Sequence, residues 1–279
     1  MGNIGYSDQP PREGTAEQFV GDFGYPEFWP QAYAQFQLQF ESIKGLMELG
    51  FEMLKAAEAK VAEPSKNLIC DLVRVTLTAA CEVIVLCGNG CGAGAVKIVR
   101  GMFESQWTAE YLRRHPEEAE NYVEFSKVIL WRKLRWLREN TPDKARSIPE
   151  EVTKRIEDEF DQVKMRFSNG KGKVRWEWSE KSIRKIADDI GRGKQYELPY
   201  AISCSIHHGN FEGLLAHFLL ESGEMEFVPP PSTQWIGKAL IAAHTNLWFV
   251  LSTLNDSYGL DFDAHLDAAQ PTPPSAVGS

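Results

Sequence analysis

The sequence predicts an all-α fold, a multi-helix bundle of about seven helices, on three observations. Apolar residues recur at spacings of three and four along most of the chain. Alternating apolar and polar segments are nearly missing, and Pro and Gly residues interrupt the periodic stretches at intervals of helical length. The 279 residues are 43% hydrophobic, 25% charged and 11% aromatic, which supports a full core and sets aside disordered, collagen-like and coiled-coil classes for the body. No fixed-period repeat of the solenoid kind is visible.

Residues 1–29 carry Gly, Pro and aromatic residues without periodicity and read as an extended lead-in, pinned to the body by Phe28 and Trp29. From 31 to 62, Tyr33, Phe36, Phe40, Ile43, Leu46, Met47, Phe51 and Leu54 mark one face of a long helix, which Pro64 ends. Ser65 caps the next helix, whose apolar residues from Leu68 to Cys87 cover most of its circumference and make it a buried, central element. After the glycine-rich break at 88–94, Val96, Val99, Phe103, Trp107 and Tyr111 give a helix over 95–114. Pro116 sits in the first turn of a helix over 117–140, and Pro149 opens a charged helix to about 167. Residues 168–173 form a solvated loop. Ser179 caps a short helix ending near Gly191, and 195–208 reads as another. A small β-hairpin can close near 217–228 around Ser222-Gly223, and 233–258 forms a final helix rich in Leu, Ala and Trp. The body, 30–260, is read as one helical domain, and the acidic, Pro-rich tail over 261–279 as mobile.

The five cysteines, Cys70, Cys81, Cys87, Cys91 and Cys204, are odd in number and mostly lie in or beside one apolar stretch, which suits reduced thiols in a core. The amino terminus lacks the basic start and apolar run of an export signal. The most apolar stretch, 67–87, contains Asp71, Arg74 and Glu82, charges too costly at bilayer depth, so no membrane association is expected and a cytoplasmic location is the simplest reading. A net charge of −9 argues against a surface coated for non-specific nucleic-acid binding but leaves room for local basic clusters.

Four constellations carry candidate chemistry. The run 83–96, with Gly90, Gly92 and Ala95, has the parts of a dinucleotide loop but lacks the strand–helix–strand context, so it reads as a helix–helix connection. Arg100 and Glu104 share a helix face at i and i+4 and form either a structural clamp or a polar site. Residues 200–210 gather Tyr200, Ser205, His207 and His208 where a helix ends at Gly209. There the histidines either cap carbonyls or act chemically, Glu212 offers a metal alternative, and Cys204 reads as inert. Two basic runs each give +5, Lys127 to Arg138 and Lys164 to Arg175, with Trp131, Trp136 and Trp176 among or beside them. That mixture is what a stacking and phosphate-binding surface requires, with Arg132, Arg135, Lys171 and Lys173 as its candidate cations.

The order Arg100-x-x-x-Glu104, Tyr111, the stretch 116–122, Trp176 or Trp178, and then 200–209 resembles the domain-of-unknown-function family 5677 (DUF5677), over roughly 30–258. The resemblance implies a helical protein with Arg100, Glu104, Tyr200, Ser205 and His208 at the family's polar positions. That pattern in turn looks like the HEPN helical bundles of toxin–antitoxin and phage-defence systems, whose RNA-cutting site pairs an Arg with a His four to six residues later. Here Ala201 stands where an Arg follows the Tyr, which removes an electrostatic contribution to cleavage. The resulting expectation is a non-enzymatic or weakly active defence- or stress-type bundle with a polar site at Arg100, Glu104 and His208. Its partners are RNA or another anionic ligand and a protein partner or second copy, with no cofactor and no metal. The alternatives are a metal-independent ribonuclease using His208 as acid/base, and an interaction protein in which Arg100–Glu104 is a clamp.

Overall fold

The computed structural model describes residues 24–60, 63–169, 172–221 and 224–271. Four long helices build the main layer: α1 (Trp29–Glu58), α2 (Pro64–Gly88), α3 (Gly92–Arg114) and, from the far end of the sequence, α10 (Ile236–Tyr258), which packs on the other three. Each presents an apolar stripe, and Leu46, Leu77, Phe103, Trp107, Leu240 and Leu247 lie in the one core they share. Between them in sequence come α4 (Ala119–Asn140), α5 (Pro142–Arg146), α6 (Glu150–Val163), α7 (Ile183–Asp189), α8 (Ala201–His208) and α9 (Phe211–Leu215). The hairpin of β1 (Phe218–Glu221) and β2 (Glu224–Phe227) pairs Phe218 with Phe227 and Glu221 with Glu224, as the Ser222-Gly223 signal predicts. The all-α class is correct, and the helix count exceeds seven because short helices fill the connections.

A second, smaller core lies apart from the first. Phe125 and Val128 of α4 meet Phe160 and Val163 of α6 and Phe167 beyond it, with Trp131 stacked on Phe160 at 4.0 Å. Trp178 packs against both cores.

Several local expectations change in the structure. Helix α1 begins at Trp29 after a 3₁₀ turn at Pro26–Phe28, so the end of the lead-in is helical, and Phe28 is buried; residues 1–23 lie outside the described residues. Pro64 occupies the first turn of α2 after an extended Glu63, so Ser65 is inside the helix and buried rather than its cap. The cap of α7 is Ser182, whose hydroxyl accepts from the Lys185 amide; Ser179 sits earlier and accepts from the Lys181 amide. The helix expected over 195–208 is broken in character. It opens with a turn at Gly193–Gln195, continues as a π-helix at Tyr196–Tyr200 around Pro199, which has no amide to donate, and becomes α-helical only in α8. The tail expected to be mobile from 261 contains α11 (Asp263–Ala268), which docks on α10 through buried Leu266 and the Trp248 indole, donating to the Leu266 carbonyl at 2.7 Å. Residues 272–279 lie outside the described residues.

The glycine-rich run is explained by close packing. A side chain at Gly88 would run into the Trp29 ring, and one at Gly92 into the backbone of Gln234 and Ile236. The run is the seam where α1 and the start of α10 press on the α2–α3 connection, and Ser232 donates its amide to the Gly90 carbonyl at 3.1 Å. Among the described residues, no helix is long and apolar enough to cross a membrane. All five cysteines are free thiols.

Candidate functional site

Helix α3 and the π-turn leading into α8 cross so that Arg100 and Glu104 meet Tyr200 and Cys204. The four-residue spacing holds on both sides, 100 and 104 on one helix, 200 and 204 on the other, and so aligns two turns of each. Arg100 Nη2 pairs with Glu104 Oε1 at 2.8 Å, and Arg100 Nε donates to the Cys204 sulfur at 3.3 Å. The Tyr200 hydroxyl donates to the same Glu104 oxygen at 2.6 Å and lies 3.5 Å from Arg100 Nη2. Beneath it an aromatic layer of Phe103, Trp107 and Tyr196 supports the Tyr200 ring, with Trp107 at 4.9 Å.

Burial, and then the carboxylate of Glu104, push the Tyr200 hydroxyl well above its ordinary pKa, so it stays protonated and serves as a donor. Burial works against the Arg100 charge, but the Cys204 sulfur and Glu104 outweigh it and hold the guanidinium pKa above its ordinary value. The Arg100 side chain keeps 25% of its exposure, so the cluster is a clamp between two helices whose outer edge reaches solvent. Arg100→Ala is expected to lower unfolding stability by about 1.5–3 kcal/mol, the scale of lost hydrogen bonds to charged groups. A denaturant midpoint unchanged in that variant would show that the clamp carries no stability.

The outer edge of this clamp opens into a cleft of about 760 Å³ that also includes Tyr122, Trp176, Trp178 and Lys181. His207 and His208 do not line it. Both are exposed at the end of α8, their rings edge to face at 5.1 Å, and no hydrogen bond or ion pair links His208 to Arg100 or Glu104 among the described residues. Ser205 is committed to structure as well: its hydroxyl donates to Glu212 Oε2 at 2.6 Å and accepts from Asn210, which caps α9. Gly209 takes the left-handed conformation that ends α8, as expected for that position. Among the described residues, no group of three or more His, Cys, Asp or Glu side chains is arranged to hold a metal ion.

The two basic runs converge on a second cleft. Trp131, Arg132, Lys133, Arg135 and Trp136 of α4 and Lys173, Val174 and Trp176 of the loop after α6 surround about 800 Å³. Two of the indoles are exposed, Trp136 at 56% and Trp176 at 76%. Arg132 anchors the loop, donating to the Val174 and Arg175 carbonyls, and lies over the Trp176 ring at 4.3 Å. Burial, and then the nearby Arg135, lower the Arg132 pKa.

Other members of the runs are neutralised locally. Lys127 pairs with Glu124, Arg138 with Glu157, Lys164 with Asp161, Arg166 with Glu120 and Arg175 with Glu180. Arg135 pairs with Glu139 at 3.0 Å, whereas Arg132, Lys133 and Lys173 have no acidic partner among the described residues. Lys171 lies outside the described residues. Sequence reasoning found these cations but missed Trp178 and Lys181 as cleft residues and the tie from Cys204 to Arg100. The 200/204 spacing carries a signal for that tie; no local signal exists for Lys181.

A family model described as a family of unknown function (DUF5677) matches residues 66–225. The match covers more than half of the chain and takes in both clefts, but it is narrower than the expected 30–258 and leaves out α1 and α10. No curated protein and no solved structure matches the chain.

Proposed function

The chain belongs to the family of unknown function DUF5677, and from that premise we propose that it binds single-stranded RNA in the tryptophan-lined cleft and does not cut it. The observation that carries this reading is the joint lining of one cleft by exposed Trp136 and Trp176 and by Arg132, Lys133 and Lys173, which have no acidic partner among the described residues. Flat rings at the faces of an open groove accept bases in any sequence, and cations beside them neutralise the phosphates between. The acidic total confines such binding to this patch, because the rest of the surface repels a polyanion. The exposed position of His208, apart from Arg100 and Glu104, favours binding over ribonuclease chemistry.

Fluorescence anisotropy of a labelled uridine RNA heptamer tests the proposal. Binding should weaken with salt at a slope of about −0.7 per phosphate contacted, and Lys133→Ala or Lys173→Ala should each remove about one such contact. No saturable binding at low salt overturns the reading. A heptamer shortened during incubation, with the loss abolished by His208→Ala, favours the ribonuclease instead.

A further inference from the structure

The two clefts share Trp176 as a lining residue, one along α4 and the other above the α3–α8 clamp. The chemistry differs between them. The first cleft is cationic; the second has aromatic walls at Tyr122 and Trp178 and the carboxylates of Glu104 and Glu177. Its cations are already engaged, Arg100 by Glu104 and Lys181 by Asp189 at 2.8 Å. A phosphate gains little there, whereas a base gains ring contact and an acceptor. Both Arg100 and Tyr200 use Glu104 Oε1, and Oε2 receives no hydrogen bond among the described residues.

We infer that Glu104 reads the donor edge of a guanine base held in this cleft, an inference that rests on the RNA-binding reading above. A carboxylate accepts and cannot donate. Guanine alone among the four bases presents two adjacent N–H donors, N1–H and N2–H, on its Watson–Crick edge, a pair that the one open oxygen, Oε2, can accept together. Adenine and cytosine place one amino group beside an acceptor nitrogen, and uracil has one N–H between two carbonyls; each turns an acceptor toward the carboxylate. The clamp supplies the precision: two donors on Oε1 fix the carboxylate, and the Trp107 layer fixes Tyr200.

The test compares RNA heptamers of uridine carrying one central substitution. Guanine should bind about tenfold or more tightly than uridine, the discrimination of a good paired contact. Inosine, which lacks the N2 amino group, should fall between the two, and 7-deazaguanine, which keeps the donor edge, should match guanine. In E104Q the guanine-to-uridine ratio should collapse toward one; if that variant does not fold, the inosine comparison carries the test with the unaltered protein. Equal affinity for the guanine and uridine heptamers, or a preference that persists in folded E104Q, overturns the inference and leaves the RNA-binding reading standing. Failure of every heptamer to bind overturns both.

Discussion

Alanine at both Trp136 and Trp176 is expected to weaken binding of the uridine heptamer at least about thirtyfold, since stacking of a base on an aromatic ring contributes about 1–3 kcal/mol each. The loss should appear with little change in the unfolding midpoint, because both indoles are more than half exposed and surface substitutions usually shift stability by no more than about 0.5 kcal/mol. The two substitutions are not equivalent. Trp136 serves the first cleft alone, whereas Trp176 borders both and carries Arg132 on one face. Trp176→Ala alone should therefore also reduce the preference for guanine, and Trp136→Ala alone should not. A change of less than about threefold in the double variant, read by the same anisotropy titration, would mean that the rings do not contact the strand.

Trp107→Ala is expected to cost about 3–5 kcal/mol of unfolding free energy, the range for truncating a buried tryptophan. Trp107 is fully buried and lies between α3 and the π-turn, against Phe103, Tyr196 and Tyr200, with its indole N–H on Gln195 at 3.3 Å. The cavity would open directly under Tyr200. Any fraction that stays folded should thus lose guanine discrimination while still binding the uridine heptamer, since the tryptophan-lined cleft belongs to the other core. Denaturant unfolding followed by circular dichroism measures the first effect. A loss below about 1.5 kcal/mol would show that the aromatic layer closes over the gap and does not hold Tyr200 in place.

Much of the bundle is legible in the sequence because its long helices obey one rule, apolar residues every three or four positions. That rule finds α1, α2, α3, α4, α6 and α10 with errors of a few residues at their ends. It says nothing about elements whose form depends on a neighbour. The acidic, Pro-rich composition after Asp261 does not reveal that Leu266 has a place on α10. Nor does the spacing around Pro199 reveal a π-turn. The glycine run at 88–94 resembles a phosphate loop in sequence, and its true constraint, the nearness of Trp29 and Gln234, comes from residues far along the chain. In the same way the Arg100–Glu104 pair was visible as a helical i, i+4 pair, while the arrival of Tyr200 and Cys204 is tertiary. The cations of the basic runs were visible too, but which of them are neutralised depends on Glu120, Glu157 and Glu180, two of which lie on other elements.

The presence of two cores of unequal size sets how this molecule breathes. Phe125, Val128, Phe160, Val163 and Phe167 bury far less apolar surface together than the main core does, so the layer they hold can separate at a fraction of the free energy of global unfolding. That layer supplies α4 and, through Trp176 and Trp178, a wall of each cleft. A strand spanning the junction would add its binding free energy to the work of prising the layer away. Occupancy would then be felt as slower amide exchange along α6, whose residues line neither cleft.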